Sequence, residues 1–225
     1  RSRARTVLTT LGIAIGVASV TCILSISDGV LQMMSSQIDT YDGRLIVVRP
    51  GEQAGGQNSF LNPMAQQTFG ASTLTEADLE AAGKLSNVSA VAPLMTLSAT
   101  ISTDKSTAKN NAVLATTPDF SQVADFKVSV GQFLGNETND TAAVIGDQLS
   151  IKLFNTDRSV GQTFTMHGQK FTVIGVVKQD SHPINYNNID YGNAAFVSFD
   201  QGKLLLRGGT QIQQINVLTD SAAAT

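Results

Sequence analysis

From Thr6 to Ser27 the chain carries no charged residue and is mostly apolar, and Arg1, Arg3 and Arg5 stand directly before this run. A helix rises ~1.5 Å per residue, so a run of this length reaches across the ~30 Å of hydrocarbon in a bilayer. The far end is marked by Asp28, followed by Asp39 and Asp42. Basic flanks stay on the cytoplasmic side, which predicts Arg1 inside and everything beyond Asp28 outside.

Three alternatives compete with a retained anchor. A cleaved signal peptide has an apolar centre of only ~7–15 residues and a small-x-small cleavage site, and no clear site of that kind closes this run before Asp28. A lipoprotein reading needs a small residue before Cys22, but Thr21 is there and apolar residues continue past it. A buried helix of a soluble protein does not account for the charge asymmetry of the two flanks. The anchor is the expectation, with residues 1–27 as the membrane helix and its basic end.

The remaining ~195 residues suffice for one large or two small globular units. A formal charge of −3 is not the basic balance of a nucleic-acid binder. Cys22 is the sole cysteine and lies inside the apolar run, so an intrachain disulfide scaffold is excluded. The first residue is arginine rather than methionine, which reads as a fragment.

Within the run, Gly12 and Gly16 have G-x-x-x-G spacing, which leaves a flat patch where a second helix can approach closely. The plain alternative is that glycine is common in membrane helices. Beyond Asp28, Val30, Leu31, Met34 and Ile38 share a helical face, predicting a stalk over 28–43 that ends at Tyr41-Asp42-Gly43. Residues 44–49 read as a strand stopped by Pro50. The Gly-, Gln- and Asn-rich stretch from Gly51 to Gly70 reads as a long loop, with Phe60, Leu61, Met64 and Phe69 scattered through it.

Thr75-Glu76-Ala77-Asp78 has the spacing of a capping box, with Leu74 and Leu79 placed as a hydrophobic staple. It predicts a helix from Glu76 to about Leu85 with Leu79, Ala82 and Leu85 inward. Strands are expected at 88–95, 99–102 and 111–116, with a polar turn around 105–110. Further on, 142–145 reads as a short buried strand, followed by a helix capped by Asp147 with Leu149, Leu153 and Phe154 facing in. Phe164 and Met166, then Phe171 and Val173, alternate with threonine about His167-Gly168-Gln169, which is the pattern of a β-hairpin. Residues 194–198 and 212–218 read as further strands.

Catalytic equipment is sparse. There is no G-x-x-x-x-G-K-[ST] motif, so the chain does not hydrolyse nucleotide by a P-loop. The histidines are His167, at the expected hairpin tip, and His182, in Asp180-Ser181-His182-Pro183. Adjacent residues do not converge as a triad, and no paired-histidine spacing suggests a metal site. Glu76, Asp78 and Glu80 suit the positive end of a helix without any catalytic role. No catalytic, cofactor-binding or metal-binding residue is expected; the candidate functional residues are the helix-packing pair Gly12 and Gly16.

The segment RSRARTVLTTLGIAIGVASVTCILSISDG resembles the first membrane helix of the MacB/FtsX-like family of ABC-transporter permeases. LTEADLEAAGKLSNVSAVAPL, ATTPDFSQVADFKVSVGQFL and AAVIGDQLSIKLFNTDRSVGQTFTMHGQKFTVIGVV agree in order and spacing with that family's periplasmic core domain. The resemblance covers nearly the whole chain. It implies an α+β protein with one N-terminal membrane helix and stalk, then a two-subdomain extracytoplasmic domain. A discontinuous porter-like part would take 44–117 and 210–225, and a β-rich insert 118–209. Three further membrane helices would complete the permease.

The implied mechanism pairs the permease with a cytoplasmic ABC ATPase and a second permease copy in the membrane lipid. Closure of the ATPase, separate or fused, moves the outer domain through the helix and stalk, so that substrate outside the membrane is handed on (export) or a partner enzyme is switched (mechanotransmission). An extracytoplasmic adaptor and a peptide or lipophilic substrate are the other partners the resemblance suggests; nucleic acid is not. Two readings of other classes stand beside it: a single-pass sensor or adhesion domain that transports nothing, and a membrane-anchored hydrolase.

Overall fold

The computed structural model describes residues 2–41, 44–50, 73–124, 127–135, 141–178 and 189–220. The chain divides into two units, one formed by the N-terminal helix and one by the outer domain. The expected loop over 51–70, His182 with its neighbours, and the side chains of Leu31, Met34 and Ile38 lie outside the described residues.

Helix α1 runs without interruption from Ser2 to Tyr41. No proline interrupts it, and its glycines cost less in an apolar run, where unpaired backbone has no water to turn to.

The outer domain is a mixed α/β unit. It contains β1 (Leu45–Val48), α2 (Glu76–Gly83), β2 (Val88–Ser102), β3 (Thr107–Thr116), α3 (Phe120–Val123), β4 (Lys127–Gly131), β5 (Ala142–Gly146), α4 (Asp147–Phe154), β6 (Thr163–Met166), β7 (Gln169–Lys178), β8 (Ala195–Ser198), α5 (Phe199–Leu205) and β9 (Gln214–Thr219). The strands form a sheet in the order β1-β9-β2-β3-β8-β5-β7-β4, and β6 pairs with both β2 and β7. The pairings β2–β3, β3–β8, β8–β5, β5–β7, β7–β6 and β6–β2 therefore close a ring. β1 and β9 extend it along β2, and β4 extends it along β7.

Strand alternation sorts the apolar side chains into two clusters. Met95, Leu97, Ala99 and Ile101 of β2 join Val113, Ile145, Phe164, Phe171 and Val197 in the larger one, together with Leu149 and Leu153 of α4. The rings of Phe164 and Phe171 stack there at 5.6 Å. The residues Ala90, Ala92 and Leu94 join Leu114, Phe120, Val144 and Phe196 in the second. Both faces of β5 are apolar and covered, with Ile145 in the first cluster and Val144 in the second, which explains the near-continuous hydrophobicity of 142–145.

The hairpin is as expected. Met166 pairs with Gln169, leaving His167 and Gly168 as a two-residue loop with φ of 50° and 78°. Two positive φ values match the right-handed twist of the strands, and glycine supplies one at no steric cost.

Other expectations are corrected. Residues 88–95 and 99–102 belong to one strand, whose register shifts between Ala99 and Ile101. The turn after it is tighter and earlier than 105–110: Thr103 N–H donates to the Ser106 carbonyl at 2.8 Å, and Ser106 N–H to Thr103 Oγ1 at 3.0 Å. The irregularity at Asn110, with φ of 55°, lies within β3 instead. α2 stops at Gly83, so Leu85 comes after the helix and is exposed, while Leu79 and Ala82 pack on the larger cluster. Asp147 is not the cap of α4. Gly146 holds that position because a Cβ there would lie 2.2 Å from the Tyr191 and Gly192 carbonyl oxygens.

Two boundaries are expected, at 117/118 and at 209/210. β3 and β8 pair in parallel across the first, from Val113↔Ala195 to Thr116↔Ser198.

Candidate functional site: a helix of membrane-spanning length and the face that carries the capped helix

Between Arg5 and Val30, α1 is long and apolar enough to cross a membrane, with a mean hydropathy of 2.2, and none of it is buried. Leu8, Ile13, Ile23 and Ile26 are each more than three-fifths exposed. Several polar side chains are satisfied within the helix. Thr9 Oγ1 donates to the Arg5 carbonyl at 2.9 Å, Thr10 to Thr6 at 2.9 Å, Ser19 to Ile15 at 2.8 Å and Thr21 to Val17 at 2.9 Å. Such back-bonding directs each of these hydroxyl protons to a carbonyl one turn earlier, so it is not left bare in hydrocarbon. Arg3 and Arg5 precede the apolar centre and Asp28 closes it.

Gly12 and Gly16 lie one turn apart on α1, and a Cβ at either would meet no neighbour within 4 Å. They leave a shallow stretch of helix surface with exposed backbone.

On the outer domain, charged groups gather where α2 meets α5. Thr75 N–H and Oγ1–H both donate to Asp78 Oδ2 at 2.8 Å, and Asp78 N–H donates back to Thr75 Oγ1 at 3.4 Å. This completes the capping box read from the sequence. The donated bonds from Thr75 hold the Asp78 carboxyl below its ordinary value, the side-chain bond contributing most. Lys203 of α5 reaches Asp200 Oδ1 at 2.7 Å and Glu76 Oε1 at 3.3 Å. Its ammonium is held above the usual lysine value, chiefly by the hydrogen bond to Asp200.

α5 is absent from the sequence expectations, although its signal is present. Ser198-Phe199-Asp200-Gln201 has capping-box spacing, and Ser198 Oγ accepts from Gln201 N–H at 3.2 Å. The short α3 and the edge strand β4 are absent from them too; neither has a strong local pattern.

No reactive constellation emerges among the described residues. His167 is exposed at the hairpin tip. Among the described residues no three of His, Cys, Asp and Glu are placed to hold a metal ion. Glu76, Asp78 and Asp200 are engaged in caps and ion pairs within the fold. What the geometry offers is an apolar rod and a folded body.

An apolar helix of spanning length ahead of a mixed α/β domain defines a membrane-anchored protein with a folded outer domain. The model of the MacB-like periplasmic core domain matches residues 6–225, and the chain belongs to that family. It is 29% identical over 222 residues to a macrolide export ATP-binding/permease protein MacB of Wolinella succinogenes, covering 96% of this chain and 32% of that protein. It is 30% identical over 223 residues to the protein of the same name in Azoarcus sp., covering 97% of this chain and 32% of that one. The chain thus spans about a third of the length of these curated relatives.

The periplasmic region of MacB from Actinobacillus actinomycetemcomitans shares the fold. Its TM-score is 0.64 at 17% identity, over 81% of this chain and 77% of that one. The extracellular domain of the noncanonic ABC-type transporter YknZ from Gram-positive bacteria gives a TM-score of 0.55 at 20% identity, over 67% of this chain and 75% of that one.

Proposed function

We propose that this chain is part of an ABC-transporter permease subunit, which couples ATP hydrolysis on a cytoplasmic ATPase to movement of its outer domain, for export or mechanotransmission. The observation that carries the reading is the continuity of α1. The helix continues past Val30, the end of its apolar segment, to Tyr41. That excess is about 16 Å at 1.5 Å per residue. An unbroken rod carries displacement out of the membrane, whereas a flexible linker would absorb it.

In this reading the N-terminus with its arginines is cytoplasmic, and a second copy of the permease sits beside the first. Gly12 and Gly16 form the helix-packing face, where small residues let backbones approach. The parts 44–117 with 210–225 and 118–209 act as the porter-like and inserted subdomains, built on one continuous sheet. The relatives' names read macrolide export ATP-binding/permease protein; in this reading the exported cargo is lipophilic or a peptide, and an extracytoplasmic adaptor receives it. The chemistry of ATP hydrolysis belongs to the ATPase, and this stretch acts mechanically.

The test uses the full-length polypeptide with its ATPase in nanodiscs. Spin labels on exposed Ser89 of two copies should report a change in separation when ATP is added with vanadate. An unchanged distance distribution overturns the coupling and favours the sensor or adhesion reading. Gly12→Leu with Gly16→Leu should lower crosslinking between copies; equal crosslinking removes the packing role.

A further inference from the structure

β2 changes partner along one edge. Its pairing with β9 runs from Val88 to Leu94, where Leu94 faces Gln214, and its pairing with β6 covers Ile101 and Ser102. Between the two ladders, Thr96 is held by a side chain instead of a strand. Gln213 Oε1 accepts from Thr96 N–H, and Gln213 Nε2 donates to the Thr96 carbonyl at 3.2 Å. Gln213 N–H itself donates to the Leu94 carbonyl at 3.0 Å. A carboxamide has one acceptor end and one donor end, so only one orientation satisfies both Thr96 groups. It reproduces the pair of bonds that a strand residue would make.

The residues around Gln213 tie together parts distant in sequence. Ile212 is fully buried and bridges to Leu74, the residue before the cap of α2. Thr210 Oγ1 and Lys203 Nζ both reach Glu76 Oε1, at 3.4 and 3.3 Å. The segment 210–213 therefore joins the start of α2, and through Glu76 and Lys203 it is tied to α5.

We propose that Gln213 is a latch. Its side chain stands in for a missing strand position and fastens the 210–213 segment, with α2 and α5, to the ring at Thr96. β9 then cannot peel from β2 starting at the Leu94 end, and β1, which among the described residues pairs with β9 alone, stays in register with the ring. Gln213 is a positioning residue. Its consequence for transport, that a displacement entering at β1 reaches the ring undiminished, rests on the coupling proposed above; the latch does not.

The test is amide hydrogen exchange on the full-length polypeptide, read at single-residue resolution, for wild type, Gln213→Ala and Gln213→Glu. Losing both side-chain bonds should speed exchange at Thr96 about tenfold or more, while Val144 and Ile145 of β5 keep their wild-type rates. Glu keeps the size and the acceptor but lacks the donor when ionised, so Gln213→Glu should fall between. Unchanged exchange at Thr96 in the alanine variant overturns the latch. So does equal acceleration at Thr96 and in β5, which would make Gln213 a contributor to global stability only. Should the alanine variant fail to fold, the glutamate variant decides alone: wild-type exchange at Thr96 overturns the proposal and a local increase supports it. The same samples measured with and without ATP separate the two ideas, because an ATP-independent rate at β1 sinks the coupling and leaves the latch standing.

Discussion

Ile13, Ile15 and Val20 of α1 are more than half exposed, while Val113, Ile101 and Ile145 of the outer domain are fully buried. The side chains are of the same kind; the two regions differ in what surrounds them. In the domain, strands place apolar groups on both faces and the ring closes over them, so their burial is internal. In α1 nothing among the described residues covers them, and the helix satisfies hydroxyls along its own axis. A rod that hides polar groups and displays apolar ones is matched to lipid, and a body that does the reverse is matched to water.

The contrast can be broken most sharply in the domain core. Phe196 is fully buried, with Phe133 edge-on at 5.7 Å and Tyr191 at 6.1 Å. Phe196→Ala should cost about 3–5 kcal/mol, seen as a lower denaturation midpoint. Insertion of the polypeptide should be unaffected. The complementary change, Ile15→Lys, should leave the folding of the outer domain untouched and cost about 3–4 kcal/mol of insertion. Carbonate extraction of residues 1–225 expressed alone should then recover more of it in the soluble fraction. If that variant remains membrane-bound to the wild-type extent, α1 is not a single central span.

A smaller effect is expected at the α2 cap. Thr75→Ala should cost about 1 kcal/mol. Asp78 has a depressed carboxyl, so its contribution is present above the ordinary aspartate range and is lost as pH falls through its lowered folded value. The stability gap between wild type and Thr75→Ala should therefore narrow on acidification, as measured by denaturant unfolding from neutral pH downward. A gap that widens in acid contradicts the assignment. The smallest effect is at the hairpin tip, where His167→Asn places a residue tolerant of positive φ at φ of 50°. A gain of under about 1 kcal/mol is expected in the denaturation midpoint of the outer domain, with no change at α1.

Local signals are legible where a short stretch carries its whole cause. The Thr75–Asp78 box and the His167-Gly168 turn both depend on residues within four positions of one another. The signal for α5 has the same form, but Phe199 and the leucines after it also suit a continuation of the strand, and the apolar pattern masks the cap. Asp147 marks where residue type ceases to decide. Its carboxyl favours a cap, but the close approach of the Tyr191–Gly192 backbone requires glycine at that position.

The primary structure alone determined that a rod of membrane-spanning length precedes a folded body, because length, hydropathy and flanking charge are summed along the chain. It determined the capped helix and the hairpin for the same reason. Only the tertiary structure decided that β6 closes β2 and β7 into a ring, that β3 pairs in parallel with β8, and that Gln213 occupies a strand's place beside Thr96. The last of these joins residues 117 positions apart. Backbone donors and acceptors are alike at nearly every residue, so no local pattern names their distant partner.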